Sequence, residues 1–309
     1  MFRKLNTKTM LIALIVLLAL VVGVNIIDRS NGDRTFKEYL VKAKPDDIDQ
    51  IQLFPKSLKG KSIELKKNGE EWTISENGAS FPADNNAIMG LIGSLNPLKA
   101  QSVVSSGADR WKTFDLTDSL STRVKLMKGA NVLADLLIGK FEMTSNQTAV
   151  SYARLVNDKV VYSVDGYLSL NVNRNMDSFR NRTVVEGNKS DWSKLSFTYP
   201  ADSSFVLEKE SEGKWHIGAT SLDAANVDKF LDVLQNLAHS SFAAQLPPST
   251  PIYTLKIEGS KLAQPIEVLG YMNGAGNLVV TSSQNKGNWF DGKELLVKVF
   301  PGKRQFLKK

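Results

Sequence analysis

The chain has 309 residues, 42% of them hydrophobic and 23% charged, with a net charge of +7. That is the balance of a packed globular protein, long enough for two domains, and it excludes wholesale disorder. Without cysteine and with only two histidines, His216 and His239, the chain cannot build disulfide frameworks, thiol nucleophiles or iron–sulfur clusters, and it has almost nothing for histidine-based metal or acid–base sites.

The charge is local. Eight cations against three acids in residues 1–44 carry +5 of it, and only +2 is left for residues 45–309. A nearly neutral body is not the footprint of a nucleic-acid binder. Residues 10–27, MLIALIVLLALVVGVNII, hold no charge and one polar interruption at Asn25. At 1.5 Å per residue this run nearly spans a ~30 Å hydrocarbon core. It lacks the polar face of a core helix, and Val22 and Val24 stand where a cleaved signal would carry small residues. It is therefore read as an uncleaved transmembrane anchor. The short basic stub before it, with Arg3, Lys4 and Lys8, stays cytoplasmic, and residues 28–309 are expected in the periplasm of a Gram-negative cell. Residues 28–45 read as a polar juxtamembrane linker closed by Pro45.

Beyond the linker the sequence repeats itself. Ile51 and Leu53, Ile63 and Leu65, and Trp72 and Ile74 are apolar pairs at period 2, separated by turn residues. Leu195 and Phe197, Phe205 and Leu207, and Trp215 and Ile217 repeat the pattern. Each Trp-x-Ile strand leads to a helix signature. Asp84 precedes Ile88, Leu91, Ile92 and Leu95, and Asp223 precedes Val227, Phe230, Leu231 and Leu234. Both sets have the i, i+3, i+4, i+7 spacing of a one-faced helix behind a favoured cap. Strands follow in both halves: Val124 and Leu126, Leu136 to Gly139 and Tyr152 to Leu155, against Leu255 and Ile257, Val268 to Gly270 and Leu278 to Val280. Val161-Tyr162 matches Trp289-Phe290, and a short helix is expected around residues 167–179. The expected fold is α+β: a transmembrane helix (1–27 with its stub), the linker 28–45, and two tandem copies of one β-rich module, 46–187 and 191–309. Each copy is an antiparallel sheet with a covering helix.

Catalytic motifs are wanting. Gly60-Lys61-Ser62 resembles the tail of a phosphate loop, but Pro55 stands where its first glycine belongs and Ile63-Glu64-Leu65 continues as a strand, so it reads as a turn. Gly274-Ala275-Gly276 reads as a flexible loop. His216 falls opposite Trp215 on a strand and reads as solvent-facing, and His239 reads as a residue at a helix C-terminus. Glu70-Glu71 and Asp46-Asp47-Asp49 read as solvated turn and linker acids, and Trp72 and Trp215 as core plugs. No residue is assigned a catalytic, cofactor-binding or metal-binding role, and no enzyme activity is expected.

In order along the chain, Ile51-Gln-Leu, Gly69-Glu-Glu-Trp72, Phe81-Pro82-Ala83-Asp84, Ile138-Gly139, Tyr152-Ala-Arg154, Val161-Tyr162 and Phe179-Arg180-Asn-Arg182 resemble a bacterial domain-of-unknown-function family. Its members are membrane-anchored proteins encoded beside gliding-motility-type ABC transporters. The chain departs from it at Phe114-Asp115-Leu116-Thr117-Asp118, where the family commonly carries a Gly-Leu-Asp-x-Pro-like turn. The resemblance implies a non-catalytic accessory subunit whose partners are ABC-transporter permease and ATPase subunits, with contact to the membrane through residues 10–27. A glycan-, lipid- or peptide-binding module of the envelope, with an aromatic groove between the two modules, is the alternative.

Overall fold

The computed structural model describes residues 36–211 and 213–308, together with Val16 and Leu17. The anchor expected over residues 10–27 lies outside the described residues but for those two. Among the described residues no helix is long and apolar enough to cross a membrane. The expected fold class is corrected accordingly: over the described residues the fold is mostly antiparallel β-sheet with few and short helices, and no transmembrane helix is among the described elements. The physical reason is the period-2 patterning, which places most apolar residues on strands and leaves only two stretches with a helical stripe.

The first sheet is built from β1 (Tyr39–Val41), β2 (Gln50–Phe54), β3 (Ile63–Asn68), β4 (Glu71–Glu76), β5 (Ala79–Pro82), β6 (Leu98–Ser105), β7 (Thr122–Lys128), β8 (Asn131–Met143), β9 (Ala149–Leu155) and β10 (Val161–Asp165). In space they run β1-β6-β10-β9-β8-β7-β2-β3-β4-β5. Strand β1 falls in the stretch read as linker; it pairs with β6 because Leu40 and Val41 bury themselves against the first core. Helix α1 (Asn85–Leu95) and the short α2 (Leu168–Val172) cover the inner face.

The second half contains β11 (Thr183–Glu186), β12 (Trp192–Thr198), β13 (Phe205–Lys209), β14 (Trp215–Ile217), β15 (Thr220–Ser221), helix α3 (Ala224–Leu234), β16 (Asn236–Ala238), β17 (Tyr253–Gly259), β18 (Ile266–Met272), β19 (Leu278–Ser282), β20 (Phe290–Asp291) and helix α4 (Leu295–Val299). Its main sheet runs β15-β14-β13-β12-β17-β18-β19-β20. Read from the other end, the first sheet has the same succession, β5-β4-β3-β2-β7-β8-β9-β10. The flanking pairs also correspond, since β1 pairs with β6 and β11 with β16. One connectivity is thus laid down twice around two separate cores.

The helices show how local sequence sets this up. Asp84 Oδ1 accepts from the backbone N–H groups of Asn86 and Ala87 at 2.9 and 3.1 Å, and Asp223 Oδ1 from those of Ala225 and Asn226 at 3.0 and 3.1 Å. Each bond set satisfies donors that the first helical turn leaves open. Behind the caps, Ile88, Leu91, Ile92 and Leu95, and likewise Val227, Phe230, Leu231 and Leu234, are buried. Each such side chain contributes about 1.5–3 kcal/mol relative to exposure. Asp84→Ala and Asp223→Ala are each expected to lower stability by about 1 kcal/mol. Urea denaturation checks this, and an unchanged midpoint in both variants would show that the caps contribute nothing.

Candidate functional site

The two sheets differ on their outer faces. In the first, Phe54 pairs with Arg123, Arg123 with Leu137, and Leu137 with Arg154, so these four residues form a row across β2, β7, β8 and β9. The same register in the second sheet reads Thr198, Thr254, Leu269 and Thr281. Two arginines of the first copy are therefore threonines in the second.

Over the row lies a covering segment, a 3-10 helix (Ala108–Phe114) and the turn that follows it. Phe114 and Leu116 bury themselves on Leu137 and Val161, a third small core that also takes in Trp111, Tyr152 and Val156. Asp115 turns the chain with φ 56°, a conformation glycine adopts most easily. The seat of the cover is Gly139: a Cβ there would stand 2.0 Å from Phe114 O. Tyr271 holds the corresponding position, two residues beyond Leu269 as Gly139 is two beyond Leu137.

Arg154 ties this layer together. Its guanidinium lies 3.6 Å from the centre of the Trp111 ring. Its Nε donates to Leu116 O at 3.2 Å, and its Nη1 to the carbonyls of Leu155, Val156 and Asp158 at 3.1–3.3 Å. The side chain is 4% exposed, and the nearest carboxylate, that of Asp118, is 3.9 Å away and almost fully exposed. Burial pulls the Arg154 pKa below its ordinary value, with Asp118 and Asp158 opposing. Arg123, in contrast, is held by Asp135 in a bidentate pair at 2.7 and 2.6 Å, which raises its pKa. Nearby, burial and the hydrogen bond to Glu142 push the Tyr152 hydroxyl up to about 12.

Between the covering segment and the β2–β3 loop opens a cleft of about 660 Å³. Phe54, Leu137 and Val156 supply apolar surface, and Lys56, Lys59 and Arg123 supply cations. Both walls are fixed. The Lys56 N–H donates to Asn173 Oδ1 at 3.1 Å, and the backbone N–H groups of Leu120 and Ser121 close a turn on Thr117 O at 3.0 and 2.9 Å.

A second buried arginine joins the two halves. Arg180, 3% exposed, is stacked between Phe81 and Phe242, its guanidinium carbon 3.9 and 3.8 Å from the ring centres. Its Nε donates to Asn288 Oδ1 at 2.8 Å and its Nη1 to Asp177 Oδ1 at 3.2 Å. Asn288 and Asn285 are buried and donate to carbonyls of Pro82, Asn181 and Thr183. The aromatic residues at this junction close on Arg180, so the groove expected between the modules is filled here.

A model of one family, a domain of unknown function (DUF4340), matches residues 72–256, more than half of the chain. The chain belongs to the DUF4340 family. No curated protein and no solved structure matches it. The region matched to DUF4340 takes in Arg123, Gly139, Arg154 and Arg180, while Phe54 of the row and Asn285 and Asn288 of the junction lie outside it.

Of the residues weighed for chemistry in the sequence, Gly60 lines the cleft and the others lie elsewhere. Trp72 and Trp215 are buried in their respective cores. His216 is half-buried with Nδ1 2.9 Å from Gly218 O. His239 follows β16 instead of ending a helix: α3 stops at Leu234, and the His239 N–H donates to Arg182 O. Gly60-Lys61-Ser62 forms a turn that leads into β3. Asp47 and Asp49 do more than face solvent: Asp47 pairs with Lys128 at 2.6 Å, and Asp49 accepts from the Gly129 N–H. Among the described residues no cluster of three histidine or carboxylate side chains is placed to hold a metal ion.

The sequence singles out Arg154 and residues 114–118 only as motif residues, without the buried outer layer that they form. The signal was present in Leu136-Leu137-Ile138, three consecutive apolar residues on one strand, which call for burial of both faces.

Proposed function

We propose that this chain is a non-catalytic accessory subunit of an ABC-type transporter at the bacterial envelope, with its body on the periplasmic side. Its working surface is the outer face of the first sheet. The observation that carries the surface assignment is the unequal decoration of one connectivity. Arg123, Arg154 and the covering segment occur on the first copy, while threonines take the arginine positions on the second. A buried guanidinium is costly to desolvate. The second copy forms the same sheet without it, so the sheet does not require Arg154; what it holds is the covering segment, through Leu116 O and the Trp111 ring, and that segment gives the first copy's face its distinct surface.

The transporter part of this reading rests on the resemblance to proteins encoded beside gliding-motility-type ABC transporters. It is supported by the chain's lack of a complete phosphate loop, which leaves ATP-driven work to another subunit. Mild-detergent capture of the tagged full chain, followed by mass spectrometry, is expected to recover a permease and its ATPase in comparable amounts. Recovery of the chain alone would overturn the transporter reading.

A further inference from the structure

The cleft beside the covering segment carries charge that the protein itself does not neutralise. Arg123 is matched by Asp135 at 2.6 Å, and Asp118 leans toward Arg154. Lys56 and Lys59, both exposed at the rim, make no ion pair among the described residues. Below them Phe54 and Val156 are only half-buried, and Leu137 completes an apolar floor. A cleft of about 660 Å³ with an apolar floor and a few placed polar groups has the size and make-up of a small-molecule site. Two unmatched ammonium groups at one rim select the sign of its guest. The walls are held by the backbone bonds to Asn173 and Thr117, so the site is formed before anything enters it, which lowers the ordering cost of binding.

We infer that this cleft binds an organic anion with an apolar body: a carboxylate or phosphate monoester head held by Lys56 and Lys59, on an acyl or aryl group lying against Phe54, Leu137 and Val156. The inference rests on the outer face being the working surface and is independent of the transporter. Such a head group reaches the cleft either on a free small acid or on an anionic lipid.

The test uses the full chain in zwitterionic nanodiscs, titrated with hexyl phosphate and followed by ligand-observed NMR. Saturable binding is expected, weakened about tenfold or more for hexan-1-ol, which lacks the charge, and for inorganic phosphate, which lacks the chain. Lys56→Glu/Lys59→Glu is expected to weaken hexyl phosphate binding about tenfold or more. Both residues are exposed, so the urea midpoint of this variant should equal that of the wild type. Competition by phosphatidic acid vesicles, whose head group is a phosphate monoester, identifies a lipid as the source; binding that such vesicles leave untouched identifies a soluble acid. The inference is overturned by the absence of saturable binding, by equal affinity for hexan-1-ol or inorganic phosphate, or by unchanged binding in the double variant. The double variant also separates the two readings. If it loses hexyl phosphate yet still recovers permease and ATPase, both stand; if wild type binds hexyl phosphate but recovers no transporter subunit, only the transporter reading fails.

Discussion

Replacing Arg180 with alanine is expected to destabilise the chain by about 3–5 kcal/mol and to split its unfolding into two steps. The cost has three sources. The guanidinium leaves a gap between Phe81 and Phe242, whose ring centres lie 3.9 and 3.8 Å from it, and stacked, desolvated contacts of this kind contribute about 2 kcal/mol or more. Asn288 Oδ1, buried, loses its 2.8 Å donor, which adds about 1–3 kcal/mol. Asp177 loses its partner but is about half exposed, so it adds little. Because Phe81 and Phe242 belong to different halves, losing the guanidinium between them weakens the coupling of the two cores, leaving Phe81–Trp289 and Asn288–Pro82 to bridge them. Circular dichroism and tryptophan fluorescence, followed through the same urea titration, should then report different midpoints. Coincident transitions at the wild-type midpoint would show that Arg180 does not couple the halves.

Gly139→Ala is expected to cost about 3 kcal/mol, a large effect for one methyl group. The new Cβ would meet a backbone oxygen, Phe114 O, at 2.0 Å, and Leu116 at 3.1 Å. A backbone atom held by a buried neighbour cannot swing aside as a lysine tip would, so the covering segment must lift from the sheet. As it lifts, Arg154 loses Leu116 O and the Trp111 ring is displaced from the guanidinium. The variant should therefore show a red-shifted Trp111 emission and faster amide exchange in residues 108–121, with exchange in β12 to β19 unaltered. Wild-type stability and emission would show that the cover is not seated on Gly139.

The two longer helices, α1 and α3, and most strands were legible because each depends on a single periodicity. Asp84 and Asp223 precede matching apolar tetrads, and Trp72 and Trp215 sit in phase with Ile74 and Ile217. What escaped has another origin. Strand β1 has only three residues, too few for alternation to register, and is specified by its pairing with β6. The junction at Arg180 depends on side chains from positions 81, 180, 242 and 288, brought together only by the completed fold. His239 was misplaced because its neighbours Leu237 and Ala238 continue the helical pattern past Leu234, whereas β16 claims them for pairing with β11. The cover over the outer face is a 3-10 helix without a long apolar stripe, and its few contacts, Phe114 and Leu116, are spaced by two.

Laying down one connectivity twice in a single chain has a consequence for folding. Strands β2–β5 and β7–β9 have counterparts with matching neighbours in β12–β15 and β17–β19, so exchange of strands between halves is a hazard during synthesis and refolding. The divergence of the outer rows works against it. If β19 entered the first sheet in place of β9, Thr281 would take the position of Arg154, and Leu116 O and the carbonyls of Val156 and Asp158 would lose their donors. If β9 entered the second sheet, a guanidinium would stand beside Leu269 without Trp111 or those carbonyls. The arginine that marks the working face thus also penalises a wrongly assembled chain, and refolding yield should fall when Arg154 and Thr281 are made alike.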